Sequence, residues 1–286
     1  MSRILVTGAN GQLGSEFKHS KNQNIISFSR EDCDITNFKK LEHLINDLKP
    51  KYLINCAAYT KVDEAEENIE MANLVNKFAV ENLSNLANKY NFTLIHISTD
   101  YIFDGEFSDP IKENAVANPL NIYGLSKLDG ENFIKKNTKK FFVLRVGWVY
   151  GPFGENFPKT IMRLLSEKKK LDIVNDQFGS PTPTWLIKEC ILELIRTENK
   201  SYDVYNIAPN DVCTWFDIAQ FVAKELGIKS CVISPIKSSQ IKREALRPNF
   251  SFLDNKAFSE LMNFGFSSWK TYMSEFLNNK ISKNEI

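Results

Sequence analysis

A tyrosine and a lysine four positions apart, Tyr123 and Lys127, are the residues of this sequence best suited to acid catalysis. That spacing puts both side chains on one face of a helix. A phenol can donate a proton to a nascent alkoxide, and a neighbouring ammonium lowers a tyrosine pKa from its ordinary value of about 10. The pair therefore predicts a proton donor, Tyr123, whose pKa is lowered by Lys127. The alternative is a pair on a helix surface, because this spacing is common by chance.

Three glycines, Gly8, Gly11 and Gly14, follow a short apolar run and precede a helical pattern. In such a strand–turn–helix unit the first glycine permits the tight turn, the second lets the backbone approach a pyrophosphate, and the third allows close packing of helix on strand. Together with the tyrosine–lysine pair, the motif predicts redox chemistry with a nicotinamide dinucleotide, whose ribose Lys127 could hold. The alternative is a purely structural turn.

The residues after the second predicted strand bear on which nicotinamide cofactor binds. An acid there would bind the adenosine ribose and disfavour a 2′-phosphate, but the sequence has Ser29 and Arg30. A serine and an arginine suit the phosphate of NADPH, so we expect NADPH to bind at least as well as NADH. Asp34 could reach the adenine amino group, and Ile35 beside it is also predicted to contact the cofactor. Arg30 could instead be a solvated surface residue.

Polar and aromatic residues follow the fourth and fifth predicted strands, at the edge where open α/β sheets bind ligands. The Thr99 hydroxyl could hydrogen-bond a substrate carbonyl or the tyrosine oxygen, and Asp100 could accept a hydrogen bond from the substrate. Either residue could instead cap a helix. Trp148 could wall a sugar ring or stack on a base, or it could be a core indole. Three other tryptophans occur in helical patterns and are predicted to lie in the core: Trp185, Trp215 and Trp269.

Strand and helix patterns alternate along the first half of the chain. Short apolar runs predict strands, and the segments between them have helical periodicity; the predicted helices include 12–19, 38–48, 69–90 and 123–136. Continuously apolar strands joined by helices indicate a parallel sheet covered on both faces. The predicted fold is α/β, a doubly wound parallel sheet of the Rossmann type with a smaller C-terminal substrate lobe.

Two regions with different roles are expected within this fold. Residues 1–150 are predicted to form the dinucleotide-binding domain and residues 151–286 the substrate-binding lobe. The lobe is predicted to be discontinuous, because a segment within about 171–210, with a strand at 202–207, would complete the sheet. Helical patterns also occur at 157–168, 185–197 and 214–226, the last beginning with a capping-box pattern of Thr214 and Asp217.

Composition argues against several classes of protein. The 286 residues carry a net charge of +1, so no overall field favours nucleic acid or an anionic membrane. No apolar run approaches the roughly 20 residues of a membrane span. The five cysteines and three histidines are scattered, which does not suggest a disulfide framework or a metal site, and His96 is predicted to be structural. The N-terminal residues lead directly into a strand, so we expect no signal peptide and a cytoplasmic protein.

Many segments resemble the extended short-chain dehydrogenase/reductase family and, within it, the dTDP-4-dehydrorhamnose reductase branch. The similarity follows the same order along nearly the whole chain. The matching segments are Thr7–Gly14, Asp34–Thr36, Asn55–Glu66, Ser98–Gly105, Tyr123–Lys127, Arg145–Gly151, Gln177–Thr182, Arg247–Pro248 and Leu253–Asp254.

The resemblance implies NAD(P)H-dependent reduction of the C4 ketone of dTDP-4-dehydro-L-rhamnose, which gives dTDP-L-rhamnose. Tyr123 would be the proton donor, Lys127 its tuner and ribose ligand, and Thr99 the third catalytic residue. Asp100 and Trp148 fall at substrate-binding positions. Cofactor contacts are implied for Gly8, Asn10, Gly11, Gln12, Leu13, Gly14, Ala57, Ala58 and Tyr59, the last of which replaces a histidine common in some members.

Two further features of the resemblance concern the substrate and a metal. Arg247 could offer its planar guanidinium to a diphosphate, or it could be a surface residue. Some family members bind Mg²⁺ through glutamates at a dimer contact, and Glu16 matches one of those positions. The sequence alone does not support a metal, so both Mg²⁺ and a homodimer stay open.

Three functions compete with reduction of dTDP-4-dehydro-L-rhamnose. Sister 4,6-dehydratases usually carry a glutamate where this chain has Tyr101, which argues against elimination chemistry. A reductase of another nucleotide 4-keto-6-deoxy sugar remains an alternative. So does a non-catalytic regulatory protein like the β subunit of methionine adenosyltransferase, whose sequence is similar at Pro119–Gly124 and Lys127–Glu131. Thr99 and Trp148 favour the reductase over the regulatory protein.

Overall fold

A six-stranded parallel sheet forms the centre of the computed structural model, which describes residues 3–197 and 201–282. Its strands run in the order β2-β1-β3-β4-β5-β8 across the sheet. This order reverses direction between β1 and β3, and ligands bind open α/β sheets in the crevice at such a switch point. The strands are β1 (Ile4–Thr7), β2 (Ile25–Phe28), β3 (Tyr52–Asn55), β4 (Thr93–Thr99), β5 (Phe141–Val146) and β8 (Val204–Ile207).

Helices cover both faces of this sheet and bury two separate apolar clusters against it. Phe17, Ile187 and Phe258 belong to the cluster on one face, whereas Ile45 and Leu83 belong to the cluster on the other. The predicted doubly wound fold is therefore confirmed. The helices of the first face are α1 (Gln12–Lys18), α8 (Thr184–Arg196) and α10 (Lys256–Met262), and those of the second are α2 (Phe38–Leu48), α5 (Ala79–Tyr90) and α6 (Ile122–Asn137).

A third apolar cluster lies in the C-terminal part of the chain, and Trp269 and Met273 are fully buried within it. Three helices build it: α7 (Phe157–Glu167), α9 (Trp215–Glu225) and α11 (Trp269–Ser282). Two short sheets accompany them. One is the parallel pair β6 (Lys170–Val174) and β10 (Val232–Ile236), and the other is the antiparallel pair β7 (Phe178–Gly179) and β9 (Cys213–Thr214).

Local structure agrees with the sequence pattern at one helix start, differs from it in one helix and adds one short helix. The helix predicted over 69–90 is divided into α4 (Ile69–Asn73), a π-helical turn (Leu74–Phe78) and α5. The capping box of Thr214 and Asp217 at the start of α9 is present as predicted. A short helix, α3 (Val62–Glu67), precedes α4. Among the described residues, no helix has the length and apolarity needed to cross a membrane.

Candidate active site

A cavity of about 510 Å³ opens at the carboxyl edge of the main sheet. The ends of β3, β4 and β5, the β1–α1 turn and the first turns of α6 supply its walls. It thus brings together residues that lie far apart in the sequence. Those lining it include Gly11, Gln12, Leu13, Cys56, Ala58, Ile97, Thr99, Asp100, Tyr101, Tyr123, Lys127, Trp148 and Trp215.

The glycine-rich turn forms one end of this cavity. Gly8 has a φ of +73°, the left-handed region that favours glycine. A Cβ atom on Gly14 would lie 2.1 Å from the carbonyl oxygen of Gly8, so only glycine lets α1 start this close to β1. Gly11 caps α1 and, unlike Gly8 and Gly14, lines the cavity itself. The turn therefore presents backbone rather than side chains, as a dinucleotide diphosphate requires.

Tyr123 and Lys127 enter the cavity from the first two turns of α6. Asn121 caps this helix, because its Oδ1 accepts a hydrogen bond of 2.8 Å from the N–H of Gly124. Its Nδ2 also donates to the carbonyl of Leu246 at 2.8 Å, which anchors the helix start to the C-terminal part of the chain. Thr99 reaches the same cavity from the end of β4. The three predicted catalytic residues therefore share one cavity.

The protonation of Tyr123 differs from the sequence-based expectation. Burial raises the pKa of Tyr123, while a hydrogen bond with Thr99 acts in the opposite direction. The contacts described for the Lys127 amine are with His96 Nε2 at 3.0 Å and the carbonyl oxygen of Ile97 at 2.5 Å. The prediction that Lys127 lowers the pKa of Tyr123 is therefore wrong for this structure, because burial dominates and the amine is held elsewhere. A phenol with a raised pKa keeps its proton at neutral pH.

Lys127 itself is almost fully buried, at 1% exposure. Burial lowers the pKa of Lys127 to about 8, although the negative charge of Glu131 acts against that shift. His96, which the sequence pattern predicted to be structural, contacts the Lys127 amine. Its position directly before Ile97 on β4 was visible in the sequence, but its contact with α6 was not.

Asp100 lines the cavity although only 2% of the residue is exposed. Its Oδ1 accepts a hydrogen bond of 3.0 Å from the Thr99 hydroxyl, and within the described residues its buried Oδ2 has no hydrogen-bond partner. Burial raises the pKa of Asp100 to about 6, and the hydrogen bond from Thr99 acts against that shift. The carboxyl group is thus both a support for Thr99 and an acceptor with unused capacity.

Two stacked indoles close the far end of the cavity. Trp148 and Trp215 lie with ring centroids 3.6 Å apart and nearly parallel planes, at 9°. Phe157 meets the second indole edge-on at 4.6 Å. Trp148 lies in the cavity wall as predicted from its place after β5. The prediction that Trp215 is a core residue is wrong, because α9 begins at the cavity and presents its first side chain there.

A second cavity of about 390 Å³ adjoins the first and shares Tyr101 and Trp215 with it. Arg247 and Arg243 line it. The predicted role of Arg247 needs correction, because both of its terminal nitrogens bond the carboxylate of Asp63, one of them at 2.7 Å. That contact holds the pKa of Asp63 down, at about 2. The guanidinium face proposed for a diphosphate is therefore occupied by protein.

Arg243 is the cation that sequence reasoning missed in this second cavity. Its side chain is exposed, and within the described residues it has no hydrogen-bond partner. Arg243 and Arg247 line the same cavity, and partial burial together with the positive charge of Arg247 lowers the pKa of Arg243. Arg243 is thus free to bind an anion where Arg247 is not.

The residues predicted for the adenosine end lie after β2, but several are bonded to one another. The Ser29 hydroxyl donates to Asp32 Oδ2 at 2.8 Å, and Arg30 Nε donates to Asp34 Oδ2 at 3.0 Å. Asp34 Oδ1 accepts a further bond from the Thr36 hydroxyl at 2.7 Å. The Arg30 side chain is 71% exposed, and such surface pairs contribute little to stability, so a stronger anion could displace Asp34. Ile35 is buried beside them.

The loop after β3 carries Ala57, Ala58 and Tyr59, of which Ala58 lines the cavity. Asn76, in the π-helical turn, holds this loop. Its Oδ1 accepts from the N–H of Tyr59 at 2.8 Å, and its Nδ2 donates to the Tyr59 carbonyl and to the Ser126 hydroxyl, both at 3.0 Å. One side chain therefore joins the loop to α6, a role that the sequence did not reveal.

Two predicted positions near α1 face other partners. Asn10 accepts a hydrogen bond of 2.9 Å from Lys18 and contacts Glu31. Glu16 accepts a hydrogen bond of 2.7 Å from the hydroxyl of Thr184. In the part of the chain that the structure describes, no group of three or more His, Cys, Asp or Glu side chains could hold a metal ion.

The comparisons with known proteins agree with this geometry. The family model described as RmlD substrate binding domain matches residues 1–281. The chain belongs to this family. The match therefore includes the C-terminal part of the chain as well as the glycine-rich turn.

Three relatives in sequence or structure are informative. The crystal structure of dTDP-4-dehydrorhamnose reductase from Bacillus anthracis in complex with NADP is 33% identical, has a TM-score of 0.92, and covers 97% of this chain and 99% of that chain. The dTDP-4-dehydrorhamnose reductase of Salmonella typhimurium is 33% identical over 96% of both chains. A dTDP-4-keto-6-deoxy-D-glucose reductase of Streptomyces niveus is 31% identical, again over 96% of both chains.

Proposed function

We propose that this chain reduces the C4 ketone of dTDP-4-dehydro-L-rhamnose to a hydroxyl, giving dTDP-L-rhamnose, with NADPH or NADH as the reductant. The observation that carries the proposal is the single cavity that joins the glycine-rich turn to Tyr123, Lys127 and Thr99. The names of the Bacillus and Salmonella relatives support the choice of substrate.

The residues present fit a nicotinamide dinucleotide. Gly11 and its neighbours in the turn would hold the diphosphate on backbone N–H groups, Gly8 and Gly14 keeping side chains out of the way. Arg30 would bind the 2′-phosphate of NADPH at the end of β2, and Lys127 would hold the nicotinamide ribose. The loop of Ala57, Ala58 and Tyr59 would wall the cofactor. We assign these contacts to residues 1–150, and we assign to residues 151–286 the substrate-binding lobe that would hold the sugar nucleotide together with Thr99, Asp100 and Trp148.

The reaction is a two-electron reduction in which the cofactor, when bound, supplies hydride to the carbonyl carbon C4. Tyr123 donates its phenolic proton to the carbonyl oxygen, so that the ketone becomes a secondary alcohol. Its raised pKa suits this role, because the phenol stays protonated until charge develops on the alkoxide. Thr99 orients the carbonyl by a hydrogen bond, and Asp100 fixes the Thr99 hydroxyl from below.

The sugar nucleotide would extend from the first cavity into the second. Trp148, stacked on Trp215, would pack against the sugar or the base. Arg243, rather than Arg247, would bind the diphosphate, because the guanidinium of Arg247 is already hydrogen-bonded to Asp63. Binding energy collected this far from C4 would orient the ketone for the chemical step.

One alternative substrate is favoured by a specific observation. The Streptomyces relative is named for reduction of dTDP-4-keto-6-deoxy-D-glucose, a 4-keto sugar of different ring configuration. The cavity would accept the same nicotinamide chemistry with either sugar. The regulatory alternative is supported less well, because a binding protein would not need Thr99, Tyr123 and Lys127 in one cavity.

The test is oxidation of NADPH by the purified protein with a panel of nucleotide 4-keto-6-deoxy sugars. We expect the highest kcat/KM with dTDP-4-dehydro-L-rhamnose, and dTDP-L-rhamnose as the product by NMR. A higher kcat/KM with dTDP-4-keto-6-deoxy-D-glucose would transfer the proposal to the second substrate. No oxidation with any member of the panel would contradict reductase function altogether.

A further inference from the structure

A buried histidine lies behind the proposed catalytic lysine. His96, in the middle of β4, has 1% exposure and contacts two polar side chains. Its Nδ1 lies 3.0 Å from Asn55 Nδ2, at the end of β3. Its Nε2 lies 3.0 Å from the amine of Lys127, on α6. The imidazole therefore bridges two neighbouring strands and the helix that carries Tyr123.

The amide orientation of Asn55 is fixed by two donors. The N–H of Ala57 reaches one amide atom at 3.2 Å, and the Thr7 hydroxyl reaches the same atom at 2.7 Å. A backbone N–H can only donate, so this atom must be the oxygen Oδ1. The other amide atom is then the nitrogen, which also can only donate. It points at His96.

The proton position on His96 follows from this orientation. Because Asn55 donates to Nδ1, that ring nitrogen accepts and carries no proton. Burial lowers the pKa of His96 well below its usual value, so the ring is neutral at neutral pH. A neutral imidazole has one proton, which must then be on Nε2. The Nε2–H group is directed at the amine of Lys127.

This geometry suits an amine rather than an ammonium. An ammonium has three N–H groups and no lone pair, so it cannot accept from His96 Nε2–H. A neutral amine can accept that hydrogen bond and still donate to the carbonyl oxygen of Ile97, which lies 2.5 Å away. The hydrogen-bond pattern and the burial of Lys127 thus both favour the uncharged amine.

Two other titratable groups, Cys56 and Glu131, face the Lys127 amine, and a negative charge on either would favour the ammonium form. The thiol of Cys56 would favour an ammonium if ionised, but burial raises the pKa of Cys56 to about 12, so it is neutral. Glu131 is the second, and its carboxylate is held by Arg145 at 3.1 and 2.8 Å. Because the thiol is neutral and the carboxylate is paired with Arg145, the contact with His96 is the direct influence on the charge of Lys127.

We propose that His96 is a positioning residue for the reduction: Asn55 keeps its proton on Nε2, and this N–H group orients Lys127 and favours its uncharged amine. The consequence for catalysis rests on the proposed function, in which Lys127 contacts the nicotinamide ribose beside Tyr123. Lys127 would then change charge within the working pH range instead of near its ordinary value of about 10, and turnover would change with it.

The proton position can be measured directly in the wild-type protein without substrate. The sequence has three histidines, so ¹⁵N-histidine labelling gives a simple NMR spectrum, and His96→Gln assigns the signal of interest. We expect Nε2 to be protonated and Nδ1 to be bare, without titration between about pH 5 and 8. A proton on Nδ1, or an imidazolium in that range, would overturn the proposal.

A variant tests whether this proton position controls Lys127. In Asn55→Asp a carboxylate, which only accepts, replaces the donor to Nδ1, so the proton should move to Nδ1 and Nε2 should accept from the Lys127 ammonium. We expect the pKa of Lys127 to rise by at least about one pH unit, measured from the ¹³Cε shift of labelled lysine with Lys127→Met for assignment. Asn82→Asp, which adds a carboxylate on α5, is the matched control and should leave both signals unchanged. A Lys127 pKa that stays constant while the His96 proton moves would overturn the proposal.

The same variants separate this inference from the proposed function. In an active reductase, His96→Gln and Asn55→Asp should shift the pH profile of kcat while leaving KM for the sugar nucleotide within about twofold of wild type. An active enzyme whose profile does not move would contradict the positioning role alone. A protein with the expected NMR signals but no ketone reduction would contradict the proposed function alone.

Discussion

Tyr123 is the residue on which the proposed chemistry depends most directly. It shares its cavity with Thr99 and Lys127, and its raised pKa keeps the phenolic proton in place at neutral pH. Tyr101 packs edge-on against it with ring centroids 5.9 Å apart, a contact that helps to hold the phenol in place. A hydroxyl in a fixed position is what general acid catalysis requires.

Replacing this phenol should therefore abolish turnover without unfolding the site. In Tyr123→Phe we expect kcat to fall by about 10²–10⁴-fold, because general acid catalysis contributes about that much. The cofactor Kd should change little, since the ring remains. Tyr90→Phe removes a phenol that bonds Glu42 far from the cavity and serves as the control. A kcat close to wild type in Tyr123→Phe would exclude Tyr123 as the acid.

Arg30 should decide how well NADPH competes with NADH. Its exposed guanidinium bonds Asp34 weakly enough to turn towards a 2′-phosphate, which only NADPH carries. We expect Arg30→Ala to raise KM for NADPH by about tenfold and to leave KM for NADH nearly unchanged. Steady-state kinetics with both cofactors checks this. Equal changes for the two would show that Arg30 does not bind the phosphate.

Arg243 and Arg247 should behave differently although both line the second cavity. Arg243→Ala is expected to raise KM for the sugar nucleotide by about tenfold, because it removes a charge-assisted contact with the diphosphate. Arg247→Ala should instead lower the melting temperature, because it leaves Asp63 without its bidentate partner. This stabilisation is present above the ordinary Asp pKa and is lost as pH falls towards about 2, so the difference in melting temperature between wild type and variant should shrink in acid. A pure KM effect in Arg247→Ala would contradict this assignment.

The roles of residues with recognisable chemistry and spacing could be predicted from the sequence, whereas the side chains they pair with in the fold could not. Tyr123, Lys127 and Thr99 carry recognisable chemistry and follow elements of fixed direction, so their meeting was foreseeable. The pairing of Arg247 with Asp63 joins residues 184 positions apart, and nothing local in either segment indicates it. Trp215 has the helical pattern of a core residue, but its place as the first residue of α9 exposes it to the cavity.

At the scale of elements, the π-helical turn between α4 and α5 is the feature that shapes the cofactor side of the site. The turn carries Asn76, which is 1% exposed and bonds the backbone of Tyr59 at both its N–H and its carbonyl. Such wide turns are frequent at functional sites. They alter helical periodicity by a single residue, which is why the sequence pattern predicted one uninterrupted helix.

Loss of this side chain should loosen the loop that is proposed to wall the cofactor. We expect Asn76→Ala to raise the Kd for NADPH by roughly fivefold, because two backbone hydrogen bonds to the loop and one to α6 are lost. Asn82→Ala, on α5, is the control, because its amide nitrogen has no partner among the described residues. Titration of NADPH followed by fluorescence measures both. A Kd equal to wild type in Asn76→Ala would show that the loop is held by other contacts.

At the scale of the whole molecule, the parallel sheet and the C-terminal helices meet at the two adjoining cavities. The sheet and its flanking helices contribute the glycine-rich turn and the proposed catalytic residues, and the C-terminal part contributes Trp215 and Arg243. The alternation of strands and helices made the sheet predictable. The pairing of β6 with β10, outside the main sheet, was not predictable, because it depends on a contact between segments some 60 residues apart.

The central claim is that hydride passes to C4 of a nucleotide 4-keto sugar within this cavity. The most direct measurement uses NADPH deuterated at C4 of the nicotinamide, tested on each face, with dTDP-4-dehydro-L-rhamnose and the purified protein. We expect one deuterium at C4 of the sugar in dTDP-L-rhamnose, located by NMR, from one of the two labelled faces. Label that stays in the cofactor, or that appears at another carbon of the sugar, would contradict it.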